Sequence, residues 1–128
     1  MVGLVRFLAR TLLGTTFIVL GWDAAREPGG RVGMAANLGV PQPALAVRVN
    51  AYTMIAAGIT LVLGVLPRLS AAALATSLIP TTAAGHPFWK ETDPQKRNGQ
   101  RIHFLKNLSM IGGLLTVALE PSAEKTDK

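Results

Sequence analysis

At 128 residues the chain has room for one domain, expected to span 1–128, and not for two comfortable ones. Apolar residues make up 49% of it and charged residues only 16%, against roughly 25% charged in ordinary soluble domains, so much of the surface is expected to face lipid. The absence of cysteine excludes thiol catalysis, disulfides, iron–sulfur clusters and thiolate zinc sites. The two histidines are too few for a metal site, so no metal is expected. A bis-His haem is arithmetically conceivable but not expected. The net charge of +6 does not point to nucleic acid, because the basic residues flank apolar runs, where anionic lipid headgroups are the natural counterions.

In chain order, Thr11 to Trp22 is uncharged and follows Arg6 and Arg10, whose methylene stems can lie among acyl chains while the charges reach the headgroups. This predicts a first spanning helix near 4–22. A secretory signal is the rival, but no small-x-small cleavage site follows. The next segment, "GWDAAREPGGRVGMAANLGVPQP", is too rich in Gly and Pro for one continuous helix. Its apolar tail from Val32 to Leu45 either lies on the membrane or covers a pocket mouth. Val49 to Leu66 and Leu69 to Gly85 carry no charge, and a bilayer core needs about 20 mostly apolar residues, so helices are expected near 46–66 and 69–86. Pro67 and Arg68 form the turn between them. Pro87 ends the third helix, and Phe88 and Trp89 fit headgroup depth. Asp93 before Pro94 reads as an N-cap opening a short basic interfacial helix. A fourth spanning helix is expected near 102–119. The fold class is therefore all-α, an integral membrane four-helix bundle.

With four spans, one membrane face collects Asp23, Arg48, Asn50, His86, His103, Lys106 and Asn107, a candidate ligand-binding pocket in which Thr81 and Thr82 also fall. His103, Lys106, Asn107 and Met110 share one helical stripe. The stripe either points into the bundle or leaves Lys106 reaching for headgroups and Asn107 as interhelical glue. Ser109 with Gly113, and Gly112 with Thr116, are small-xxx-small pairs that predict close backbone approach by the last helix, while the second helix offers no comparable glycine pair. No catalytic triad, phosphate loop or nucleotide fingerprint is present, so no catalytic residue is assigned. Lys and Arg number five on the terminal face and eight on the other, placing both termini in the periplasm.

"LVRFLARTLLGTTFIVLGWDAAREP", the run "LPRLSAAALATSLIPTTAAGHPFW", and "FLKN" followed by "GGLL" resemble the DoxX family of small four-helix membrane proteins, in its actinobacterial branch. The resemblance implies a multi-pass inner-membrane protein linked to redox physiology. Relatives include quinone-reducing thiosulfate oxidoreductase subunits and proteins proposed to tether soluble oxidative-stress enzymes. Many relatives carry an acidic residue early in the second helix, where this chain has Asn50 near Arg48. The function expected is a binding or anchoring subunit of a membrane-associated oxidoreductase or oxidative-stress assembly, without catalytic activity alone. A quinone-handling subunit, or a lipid or small-molecule transporter, is the alternative. Membrane lipids and soluble or membrane redox proteins are the expected partners, and a quinone is the one cofactor that could be borrowed.

Overall fold

The computed structural model describes residues 1–121. The last part of the expected domain, with Lys125 and Lys128, lies outside the described residues. Five α-helices are present: α1 (Val2–Arg26), α2 (Gly30–Asn37), α3 (Pro43–Leu63), α4 (Pro67–Gly85) and α5 (Pro94–Ala118), with a 3-10 turn at Phe88–Lys90. No strand occurs among the described residues, so the all-α class holds.

The helix ends follow proline and glycine. α1 runs past Trp22 to Arg26 because nothing interrupts it until Pro28, which disfavours helical geometry at Glu27 (φ −135°). α3 begins at Pro43, whose missing N–H is harmless in a first turn, and ends at Gly64 in the left-handed region (φ 72°). There the Gly64 and Val65 amides donate back to the Leu61 and Thr60 carbonyls. α4 likewise starts at Pro67. Gln42 and Leu66, the residues just before these two prolines, take φ of 47° and 45°, a left-handed conformation that residues other than glycine rarely adopt.

Two elements differ from expectation. The segment after α1 contains a short helix, α2, which packs on α3 and α4. The basic interfacial helix and the fourth spanning helix are one continuous α5, since beyond Pro94 only Gly99 weakens the helix before His103, and glycine costs about 1 kcal/mol there without ending it.

The four long helices run alternately up and down. At one end Arg6 pairs with Glu120 at 2.6 Å, Arg68 Nε donates to the Ala118 carbonyl, and the Arg10 guanidinium lies against Gly64. The main seams are α1 on α3, α3 on α4, and α4 on α5. Phe17, Met54, Leu61, Leu74, Leu78 and Leu114 form the core. Many large apolar side chains point outward, among them Leu4, Leu8, Leu12, Leu63, Leu69 and Leu105. α1 and α3 are each long and apolar enough to cross a membrane.

The tightest seam joins α1 to α3 and depends on glycine. A Cβ on Gly14 would meet the Gly58 carbonyl oxygen at 2.7 Å, and one on Gly58 would meet the Gly14 oxygen at 2.9 Å. A Cβ on Gly21 would stand 2.8 Å from the Ala51 oxygen. Backbone lies on backbone here, as small residues permit in membrane-type packing. The expected seam at Ser109, Gly112, Gly113 and Thr116 is not of this kind. Ser109, Gly112 and Thr116 are exposed, a Cβ on Gly112 would meet nothing within 4 Å, and one on Gly113 would only touch Leu13 at 3.7 Å. Their hydroxyls turn back on their own helix, Ser109 to the Leu105 carbonyl and Thr116 to that of Gly113.

Candidate functional site

α4 is the polar spine of the molecule. Ser70, Ser77 and Thr81 lie at i, i+7 and i+11 on the face toward α3, and Thr82 and His86 lie one turn apart on the face toward α5. Each finds a partner. Thr60 and Ser70 share a hydrogen bond of 2.6 Å. Asn50 Nδ2 donates to Thr81 Oγ1 at 3.0 Å, and Ser77 Oγ donates to Asn50 Oδ1. Across the other seam, Asn107 Nδ2 donates to Thr82 Oγ1 at 3.1 Å. Adjacent residues of α4 thus tie Asn50 of α3 and Asn107 of α5 to one helix. In a low-dielectric interior such bonds fix which faces meet, because a slipped helix would leave an amide unpaired.

Beyond this network, at the end of α4, His86 Nδ1 and Gln100 Oε1 lie 2.7 Å apart. The His86 and His103 rings stack with centroids 5.1 Å apart and 24° between planes. Phe88, Trp89 and Phe104 meet edge to face, with Phe88 and Phe104 centroids 5.2 Å apart. These contacts brace the first turns of α5, which carry Lys96, Arg97 and Arg101 on exposed positions.

The expected pocket residues therefore divide. Asn50, Asn107, His86 and His103 are drawn to α4. Asp23, Arg48 and Lys106 are exposed, and none of them makes a side-chain hydrogen bond or ion pair among the described residues. Helix geometry explains the division. On α5, Gln100, His103 and Asn107 recur at i, i+3 and i+7 facing α4, and Lys106 falls on the outer flank of that stripe. On α1, Asp23 sits within the extended helix, on a face that α3 does not cover. Among the described residues no group of three His, Asp or Glu side chains could hold a metal ion.

Ser77, Thr81, Thr82 and Gln100 matter more than expected. For Ser77 and Thr81 a signal was present in the sequence, hydroxyls at i and i+4 in an apolar run, whereas Gln100, among the basic residues that open α5, gave none. Beside Asn50 and Ser77 an open groove of about 930 Å³ runs between α3 and α4, walled by Leu45, Val49, Ala72, Ala73, Thr76 and Pro80 among others.

The DoxX family profile matches residues 5–87. Over 122 residues the chain is 30% identical to the inner membrane protein YphA of Escherichia coli (strain K12), covering 94% of this chain and 86% of that one. The chain belongs to the DoxX family. No solved structure matches it. Membership places it among small inner-membrane proteins. The DoxX match reaches from α1 to the end of α4, so it contains the glycine seam, Asn50, Ser77, Thr81 and Thr82. The "FLKN" and "GGLL" stretch, part of the resemblance to DoxX, lies on α5, beyond the profile's range.

Proposed function

We propose that this DoxX protein crosses the inner membrane four times, through α1, α3, α4 and α5, as a multi-pass helix bundle. It serves there as a binding or anchoring subunit of a membrane-associated oxidoreductase or oxidative-stress assembly, without catalytic activity of its own. Four spans are supported by the outward-facing leucines on all four long helices. They also fit the length of α4, whose 19 residues rise about 28 Å, close to the roughly 30 Å hydrocarbon core. Lys106 then reaches toward headgroups, and membrane lipids are its counterions.

The observation that carries the anchoring role is the braced start of α5. Lys96, Arg97 and Arg101 stand on a continuous helix held by the His86–Gln100 contact, the His86–His103 stack and the Phe88–Trp89–Phe104 cluster. A rigid basic face at the membrane surface suits an acidic face on a soluble partner, where complementary charge sets orientation and association rate. Replacing Lys96, Arg97 and Arg101 together by Glu should remove the copurifying redox protein after mild detergent solubilisation while the protein still reaches the membrane. An unchanged set of copurifying proteins would contradict the anchoring role.

The groove between α3 and α4 favours a second reading, a quinone-handling subunit that holds the reduced, hydroxyl-bearing quinol. The electrons would then have to come from a partner.

A further inference from the structure

The α3–α4 groove has a polarity of its own: apart from Gln42 at its mouth, its lining offers hydrogen-bond acceptors and no free donors. Thr53 Oγ1 donates to the Val49 carbonyl, Thr76 Oγ1 to that of Ala72, and Ser77 Oγ to Asn50 Oδ1. The Asn50 amide is engaged by Thr81 Oγ1 at 3.0 Å and by Met54 Sδ at 3.6 Å. The one other amide on the lining, Gln42, sits at the mouth, on the N-cap of α3.

Pro80 adds an acceptor to this wall. It lies inside α4 and lines the groove. Having no N–H, it leaves the Thr76 carbonyl without its helical donor. Hydroxyls of neighbouring residues often repair such a break in membrane helices. Here they do not, because Thr81 donates to the Ser77 carbonyl and Thr82 to that of Leu78. The Thr76 carbonyl and the Thr53, Thr76 and Ser77 oxygens therefore all accept.

Depth narrows the ligand further. Thr76 is nine residues from either end of α4 (Pro67–Gly85), about 13 Å from each interface at 1.5 Å per residue. A charged headgroup at that depth is strongly disfavoured, so phospholipid heads do not reach it. Ala72 and Ala73 leave the groove shallow-sided and apolar around the polar wall, and its volume of about 930 Å³ suits a small amphiphile.

We propose that this groove binds an uncharged, hydroxyl-headed, single-tailed amphiphile drawn from the bilayer. Its O–H donates to the Thr76 carbonyl, and its tail lies along the Ala72–Ala73 face. The site discriminates by proton donation: a carbonyl or ether head of the same shape faces acceptors and gains nothing. The inference rests on the four-span placement of α3 and α4.

The test uses the full chain in detergent and four probes, dodecanol against dodecyl methyl ether and decylubiquinol against decylubiquinone, with affinities read from melting shifts. The hydroxyl member should bind more tightly within at least one pair, by about three- to tenfold for one net hydrogen bond. The pair showing it identifies an aliphatic or an aromatic head. Pro80→Ala, which restores an N–H to the Thr76 carbonyl, should erase that preference without lowering the melting temperature of the free protein. Ala73→Phe should block both pairs. Equal affinities within each pair, or a preference that survives Pro80→Ala, would overturn the inference alone. Release of the protein from membranes by alkaline carbonate would overturn the four-span placement and the inference together.

Discussion

The seam between α1 and α3 and the two seams that α4 makes are built on opposite physics. The first is dry, with Gly14, Gly21 and Gly58 bringing carbonyl oxygens within reach of glycine carbons, and dispersion between close backbones holds it. The others are spaced by side chains and registered by amides and hydroxyls, Asn50 with Ser77 and Thr81, and Asn107 with Thr82. A glycine seam tolerates no added volume but carries no hydrogen-bonding chemistry. A hydroxyl seam leaves gaps, and the 930 Å³ groove is one of them. The α1–α3 half is a close-packed frame, and the open groove lies along α4.

The contrast is broken most severely at Gly58. Gly58→Leu must displace either Ile18, whose Cγ1 lies 2.8 Å from a Cβ at this position, or the α1 backbone. We expect a loss of about 3 kcal/mol or more, seen as failure to accumulate or a collapsed melting temperature in detergent. Gly113→Leu meets only Leu13 at 3.7 Å and should cost less than about 1 kcal/mol. Similar losses for the two variants would erase the distinction between the seams.

Next in size is Asn50→Leu, which leaves the Ser77 hydroxyl without its acceptor and Thr81 without its donor. A loss of about 1–2 kcal/mol is expected. Asn107→Leu removes a single bond, to Thr82, and should cost about 0.5–1 kcal/mol. If the double variant loses no more than Asn50→Leu alone, the two seams form one network through Thr81 and Thr82, and additive losses mean they are independent. Arg6→Ala is the smallest, because its partner Glu120 is a surface carboxylate and Arg6 itself is 57% exposed. A change of about 0.5 kcal/mol or less is expected, fading further at high salt.

The long helices were legible because uncharged runs of spanning length survive without any tertiary knowledge. Their ends were less so. Trp22 looked like a terminus because Asp23 follows it, yet a single carboxylate on an exposed face does not stop a helix and Pro28 does. The glycine seam escaped a search for small residues four apart, since Gly14 and Gly21, and likewise Ala51 and Gly58, are seven apart, two turns on one face. In the site, Asn107 was one amide given a possible partner on a neighbouring helix, and both Asn107 and Asn50 bond across a seam. Which side chains do so depends on rotational setting, which composition does not encode. Lys106 and Asn107 are neighbours in sequence, yet one faces out and the other faces Thr82. Pro80 was passed over inside the third apolar run, and only the structure places it on the wall of a groove.

The four-span placement of α1, α3, α4 and α5 can be tested most directly by side-specific labelling, because the chain has no cysteine to give background. Single substitutions Gly3→Cys, Gly39→Cys, Leu66→Cys and Gln95→Cys put one thiol at the start of α1, one in the connection before α3, one in the connection before α4 and one in the first turn of α5. An impermeant maleimide in intact cells should label Gly39→Cys and Gln95→Cys alike, and Gly3→Cys and Leu66→Cys in the opposite sense. Labelling of the Gly3 and Leu66 pair is expected, given the greater number of Lys and Arg on the other face. If Gly39→Cys and Leu66→Cys react from the same side, α3 does not cross the membrane and the four-span bundle is wrong.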